Sequence, residues 1–202
     1  MNRISKSPSE KFPVYFNFSP ELITGESIVS KVLTCVNAAT GVSSKTAIVA
    51  SESIVSPDVK AVIQAGTVDD EHKIQCEATT TFGNIYQRDL ILFIQKEVTD
   101  YFTKQPGDAF LVDVDYTRRL EPGDALASAT VTAIRESDGV NVGIGITPPP
   151  SAVVSTPQVI PPKAAIPVLG GDEGITYLIG VLGTSNDGYK YEKFIRMNVR
   201  EY

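Results

Sequence analysis

His72-Lys73-Ile74-Gln75-Cys76-Glu77-Ala78 alternates without a break. Successive side chains of an extended chain point to opposite faces, so His72, Ile74, Cys76 and Ala78 share one side and Lys73, Gln75 and Glu77 the other. One apolar face and one polar face mark a half-buried strand of an antiparallel sheet. Thr81-Phe82-Gly83-Asn84 follows, with a glycine able to take positive φ, and reads as a turn. Arg88 to Gln95 then returns with Leu90, Leu92 and Ile94 on one face. The stretch Gln87 to Tyr101 admits a short helix, but Ile91, Phe93, Val98 and Thr99 favour strand.

Upstream the same period of two recurs. Val14, Phe16 and Phe18 share a face, and Ser27–Val36, Lys45–Ala50 and Val59–Gln64 are further strand candidates. No segment carries a convincing helical period. The second half then repeats the first. Phe16-Asn17-Phe18-Ser19 is echoed by Val114-Asp115-Tyr116-Thr117, and Gly25 by Gly123, at an offset of 98. Gln64-Ala65-Gly66 is echoed by Leu169-Gly170-Gly171, and Leu90, Leu92 and Ile94 by Ile195, Met197 and Val199, at an offset of 105. Apolar pattern and turn chemistry recurring together indicate a duplication. The change of offset implies a net insertion of seven residues in the second copy, where Thr147 to Pro162 holds six prolines.

The sequence therefore predicts an all-β chain of two tandem immunoglobulin-like β-sandwiches. The expected organisation is a flexible tail over 1–10, a first sandwich over 11–96, a linker over 97–107, and a second sandwich over 108–202 with a proline-rich insertion at 147–162.

The chain has 202 residues and a net charge of −6. An acidic balance without clustered cations and aromatics gives no support to nucleic-acid binding. No apolar run reaches the length of a membrane helix, and the first residues lack the apolar core of a secretion signal. Folding in the cytoplasm is expected, with Cys35 and Cys76 as reduced, buried thiols; an inter-sheet disulfide is the alternative.

The order of these features resembles a family. An aromatic strand leads to Leu120–Ala125; after a variable middle come Gly170-Gly171 to Tyr177, Thr184-Ser185 to Gly188, and Asn198-Val199-Arg200-Glu201, with Phe102-Thr103-Lys104 before the copy. The pattern is similar to that of phage virion structural proteins of the fibre–tail adaptor or head–tail accessory type. This chain departs from it in lacking tryptophan and in carrying Ala65-Gly66 where two glycines are usual. The resemblance implies a non-enzymatic virion component assembled in the host cytoplasm, present in multiple symmetric copies, whose partners are other virion proteins. It would bridge or decorate particle proteins at the neck, head–tail junction, tail or fibre attachment. A cell-surface or secreted adhesin module is the alternative.

Catalytic and metal chemistry find few residues. The single histidine, His72, lies on an apolar strand face, at the position that Tyr177 holds in the other copy, which suits packing. Asp69-Asp70-Glu71, with Asp172-Glu173 read as its counterpart, could offer oxygen ligands, but a solvated turn is the plainer reading. Asp113 and Asp115 fall on the outward face of their strand, and Gly143-Ile144-Gly145 lacks the helix a phosphate loop needs. No catalytic residue, cofactor or metal is expected. The partner-docking expectation falls on the proline-rich insertion, with Val153, Val154, Val159, Ile160 and Ile166 as apolar anchors.

Overall fold

The computed structural model describes residues 2–143 and 153–201. The chain divides into two compact units, Met1–Lys96 and Glu97–Tyr202.

In the first unit the strands are β1 (Asn2–Lys6), β2 (Phe12–Asn17), β3 (Ile28–Asn37), β4 (Val49–Val55), β5 (Asp58–Ile63), β6 (Glu71–Thr80) and β7 (Ile85–Ile94), with a one-turn helix α1 at Lys45–Ile48. They form a sheet of order β1-β7-β6-β3 and a second of order β2-β5-β4. The core lies between them: Phe16, Val59, Ala61 and Ile63 from one sheet meet Leu33, Cys35, Ile74, Cys76, Leu92 and Ile94 from the other. The alternation from His72 to Ala78 is realised residue by residue, with His72, Ile74, Cys76 and Ala78 buried. Both cysteines are buried and free.

The second unit repeats this arrangement. Strands β8 (Val98–Lys104), β10 (Leu126–Arg135), β13 (Thr176–Ser185) and β14 (Lys190–Val199) form the order β10-β13-β14-β8. Strands β9 (Phe110–Asp115), β11 (Gln158–Ile160) and β12 (Lys163–Val168) form the order β11-β12-β9. The immunoglobulin-like fold expected from the sequence is the one observed.

Three expectations are corrected. Residues 2–6, read as tail, are strand β1, which pairs parallel to β7 from Asn2↔Leu90 to Lys6↔Ile94. Residues 98–104, read as linker, are β8, which pairs parallel to β14. Both are anchored by a buried lysine. Lys6 Nζ donates to Ala65 O at 2.5 Å and Ser7 O at 2.6 Å. Lys104 Nζ donates to Gly170 O and Gln105 O, each at 2.6 Å. A polar segment thus gains order from hydrogen bonds rather than from an apolar pattern, which is why its composition reads as disordered. Lastly, Lys45–Ala50 opens as α1 rather than as strand, because Ser44 O accepts from both Ala47 N and Ile48 N and so closes a helical turn.

The insertion also moves. Bridge Val36↔Ser43 corresponds to Ile134↔Asn141, and Val49↔Ile63 to Val154↔Val168. Residues 44–48 therefore correspond to residues 142–153, and the seven additional residues lie where the first unit has α1. Residues 147–152 of the expected insertion fall outside the described residues. The rest of it is the β11–β12 hairpin, the counterpart of β4–β5, and adds nothing.

Gly66 and Gly171 show how the turns hold. Their φ values are +105° and +118°, and a Cβ would lie 2.8 Å from Ile94 in one unit and 2.8 Å from Val199 in the other. Only glycine meets both demands.

Candidate docking surfaces

The proposed anchors do not form a surface. Val153, Val154 and Ile166 are each 1% exposed. The backbone around them is engaged as well, since Val153 N donates to Val142 O, Leu169 N to Val153 O and Ser155 N to Pro167 O. Burying an aliphatic side chain stabilises by about 1.5–3 kcal/mol, so offering these three to a partner would cost the second sandwich part of its core. Val159 is half-buried; Ile160 alone is well exposed, at 60%, on edge strand β11. The chain here folds over its own edge.

His72 stands in the densest polar cluster of the first unit. Its ring is buried, and Nδ1 lies 2.9 Å from Ser44 Oγ, which in turn lies 3.3 Å from Cys35 Sγ. On its other side Nε2 is 3.9 Å from Asp70 Oδ2 and has no hydrogen-bond partner among the described residues. A serine, a histidine and an aspartate are thus neighbours, beside a cavity of about 250 Å³. Relay of a proton needs heavy atoms about 2.6–3.2 Å apart, and the histidine–aspartate gap exceeds that. Burial lowers the pKa of His72, and Lys6 adds to this against the opposing charge of Asp70. Burial also raises both thiols, Cys35 against the hydrogen bond from Ser44 and Cys76 to about 12. The cluster is a neutral polar staple between the loop before α1 and the core.

The acid run carries no cation site. No group of three His, Cys, Asp or Glu side chains able to hold a metal occurs among the described residues. The 105-residue offset sets Asp69, Asp70 and Glu71 against Gly174, Ile175 and Thr176, so Asp172-Glu173 is not their counterpart. Asp113 and Asp115 do point outward, beside buried Val114 and Tyr116. Gly143 packs against backbone, its Cβ position 3.2 Å from Ala133 N; Gly145 lies outside the described residues.

The surface feature the two units share is a groove. In the first unit it has a volume of about 500 Å³ and runs between edge strands β1 and β2, over the middle of β7. Ile4, Val14, Phe16 and Leu90 give it an apolar floor, with Arg3, Arg88 and Asp89 at its sides. In the second unit a groove of about 360 Å³ lies between β8 and β9. Its lining residues are the counterparts of the first set: Phe102 for Ile4, Val112 for Val14, Val114 for Phe16, Lys193 for Arg88 and Ile195 for Leu90. The charge differs. Two arginines and one aspartate line the first groove; Asp100, Asp113, Asp115 and Lys193 line the second. Sequence reading missed both grooves because one wall of each lies in a segment taken for tail or linker. Extending the offset of 98 backwards, which aligns Ile4-Ser5-Lys6 with Phe102-Thr103-Lys104, would have found them.

The fold and its surface define a class of architecture: tandem immunoglobulin-like sandwiches with a groove along the strand edges of each. Residues 6–93 match the model of a family described as podophage GP4 fiber-tail adaptor protein gp77. The match supports a relation to a phage fibre–tail adaptor family over the first unit. No curated protein matches the chain. Solved structures that match include titin domains Z1Z2 in complex with telethonin, 14% identical, covering 98% of this chain and 91% of that one with a TM-score of 0.29. A structure of titin A168–A169 is 10% identical, with coverage of 98% and 95% and a TM-score of 0.29. At these scores neither informs the reading of this chain.

Proposed function

We propose that this chain is a non-enzymatic adaptor of a tailed-phage virion that bridges two other particle proteins at the fibre attachment. The observation that carries the reading is the match of residues 6–93 to a fibre–tail adaptor family, combined with a second unit that repeats the first strand for strand. Two copies of one module give one chain two sets of loops and strand edges, which suits a bridge between two partners. Edge strands and loops of a rigid sandwich are suitable docking elements, since little ordering entropy is lost when a partner strand lies along them. The test is to produce particles without this chain and image them by cryo-EM. Closed tails that lack fibres, with fibres restored by adding the purified chain, are expected. Particles that keep their fibres without it would overturn the reading.

A further inference from the structure

We propose that copies of this chain associate head to tail, with the β8 edge of one copy lying along the β1–β2 groove of the next. The inference rests on the surface of the two units alone and holds whether or not the chain bridges fibre and tail.

Each groove is walled by strands with a single neighbour. Strand β1 pairs only with β7, and β8 only with β14. On its other side each has no neighbouring strand among the described residues, which is where an incoming strand can lie. Strand β8 carries Tyr101, which is 80% exposed and lines the second groove, and β9 carries Leu111, which is 58% exposed. The β1–β2 groove offers an apolar floor of Ile4, Val14 and Phe16 for such a ring.

Charge decides which flank meets which. With Arg3, Arg88 and Asp89 the first groove carries a net positive charge, and with Asp100, Asp113, Asp115 and Lys193 the second carries a net negative one, so a twofold pairing of either with itself brings like net charges together. Like charges across an interface oppose both arrangements, whereas the first flank against the second sets Arg3 against Asp100 and Asp113. Arg3, Asp100, Tyr101 and Asp113 are all exposed; within their own units Arg3 lies over the Phe93 ring and Asp113 is 3.9 Å from Lys163 Nζ, contacts at the surface rather than in the core. A contact between two different surfaces repeats from copy to copy and generates a ring or a filament.

Sedimentation velocity of the full chain, over a concentration series at low and high salt, tests this. A sedimentation coefficient that rises with concentration at low salt, and rises less at high salt, is expected. Arg3→Glu should weaken association about tenfold, as should the pair Asp100→Lys and Asp113→Lys. The triple variant should recover to within about threefold of the unaltered chain, because the reversed charges again complement one another. Tyr101→Ser should weaken association at both salt concentrations. Melting midpoints measured in parallel should not move. A chain that stays monomeric at every concentration in low salt would overturn the proposal. So would single reversals that associate like the unaltered chain, or a triple variant no better than its parents.

Discussion

The two sandwiches differ least in their turns and most in what fills the core of each. Both bury a lysine on the first strand, and both close the following turn with an acid: Ser7 N donates to Glu10 Oε2 at 2.9 Å, and Gln105 N to Asp108 Oδ2 at 2.8 Å. Inside, however, Cys35, Ser44 and His72 of the first unit become Ala133, Val142 and Tyr177 in the second. Tyr177 Oη accepts from Asp172 N at 3.0 Å, a bond to the turn that His72 does not make. Phe18 and Ala78 become Tyr116 and Gly183, the larger ring matched by the loss of a methyl. Directional hydrogen bonds at the turns resist change, while apolar volume can be traded between neighbours as long as the total is kept.

That contrast is most sharply broken at the lysines. Replacing Lys104 by Met removes the donor that holds Gly170 O and Gln105 O and leaves these part-buried carbonyls without it. A loss of about 3 kcal/mol is expected for the second unit, and a similar loss in the first for Lys6→Met. Urea unfolding followed by amide signals assigned to each unit should show each variant lowering its own unit's midpoint. A Lys6→Met chain as stable as the original would return residues 1–10 to the status of a tail.

The legibility of the sequence follows the same division. The strands with an apolar face, β6 and β7 above all, can be read from period two because burial selects alternate residues. The repeat could be read because its turns need glycine at the same places. Strands β1 and β8 could not be read from composition, since a lysine bonded to backbone carbonyls looks the same in sequence as a lysine in water. The docking residues failed for a related reason. Val153 and Val154 stand near prolines and look like loop, yet they pair with the end of β12, a long-range contact that local sequence does not encode. The grooves were hidden with the strands that wall them.

Volume trading gives the next test. A Cβ on Gly183 would sit 2.8 Å from Leu126 Cδ1 and 3.0 Å from Tyr116 Cζ. Gly183→Ala alone should destabilise the second unit by about 1–3 kcal/mol through overpacking. Tyr116→Phe alone should cost about 1 kcal/mol, for the lost hydrogen bond to Val181 O at 2.8 Å. Together they recreate the Phe18–Ala78 pair, so the double variant should lose less than the sum, as a denaturation cycle would show. A strictly additive result would mean that the two cores are not interchangeable. A smaller effect of opposite sign is expected at the turn, where Ala65 has φ +47° and its counterpart is Gly170. Ala65→Gly relieves the left-handed conformation but loosens the unfolded chain, for a net gain of about 0.5 kcal/mol in the first unit.

The smallest expected effect separates the units by pH. Burial lowers the folded pKa of His72 below its ordinary value of 6.5, with Lys6 assisting and Asp70 opposing. The folded state therefore favours the neutral ring, and the unfolded state binds the proton more readily. The stability this supplies is complete above the unfolded pKa and is lost as pH falls from about 6.5 towards the lowered folded value. Glu26 and Glu52 of the same unit, whose pKa values are lowered from 4.5, lose their contributions only at more acidic pH, so the windows separate. Tyr177, at the corresponding place in the second unit, has its pKa raised by burial and does not titrate in this range. Between pH 7 and 5 the unfolding midpoint of the first unit should fall relative to that of the second. His72→Gln should flatten that slope, since Gln keeps a polar group near Ser44 without a proton to gain. A first unit whose midpoint follows the second across this range, with His72 intact, would show that the ring is solvated rather than held in the core.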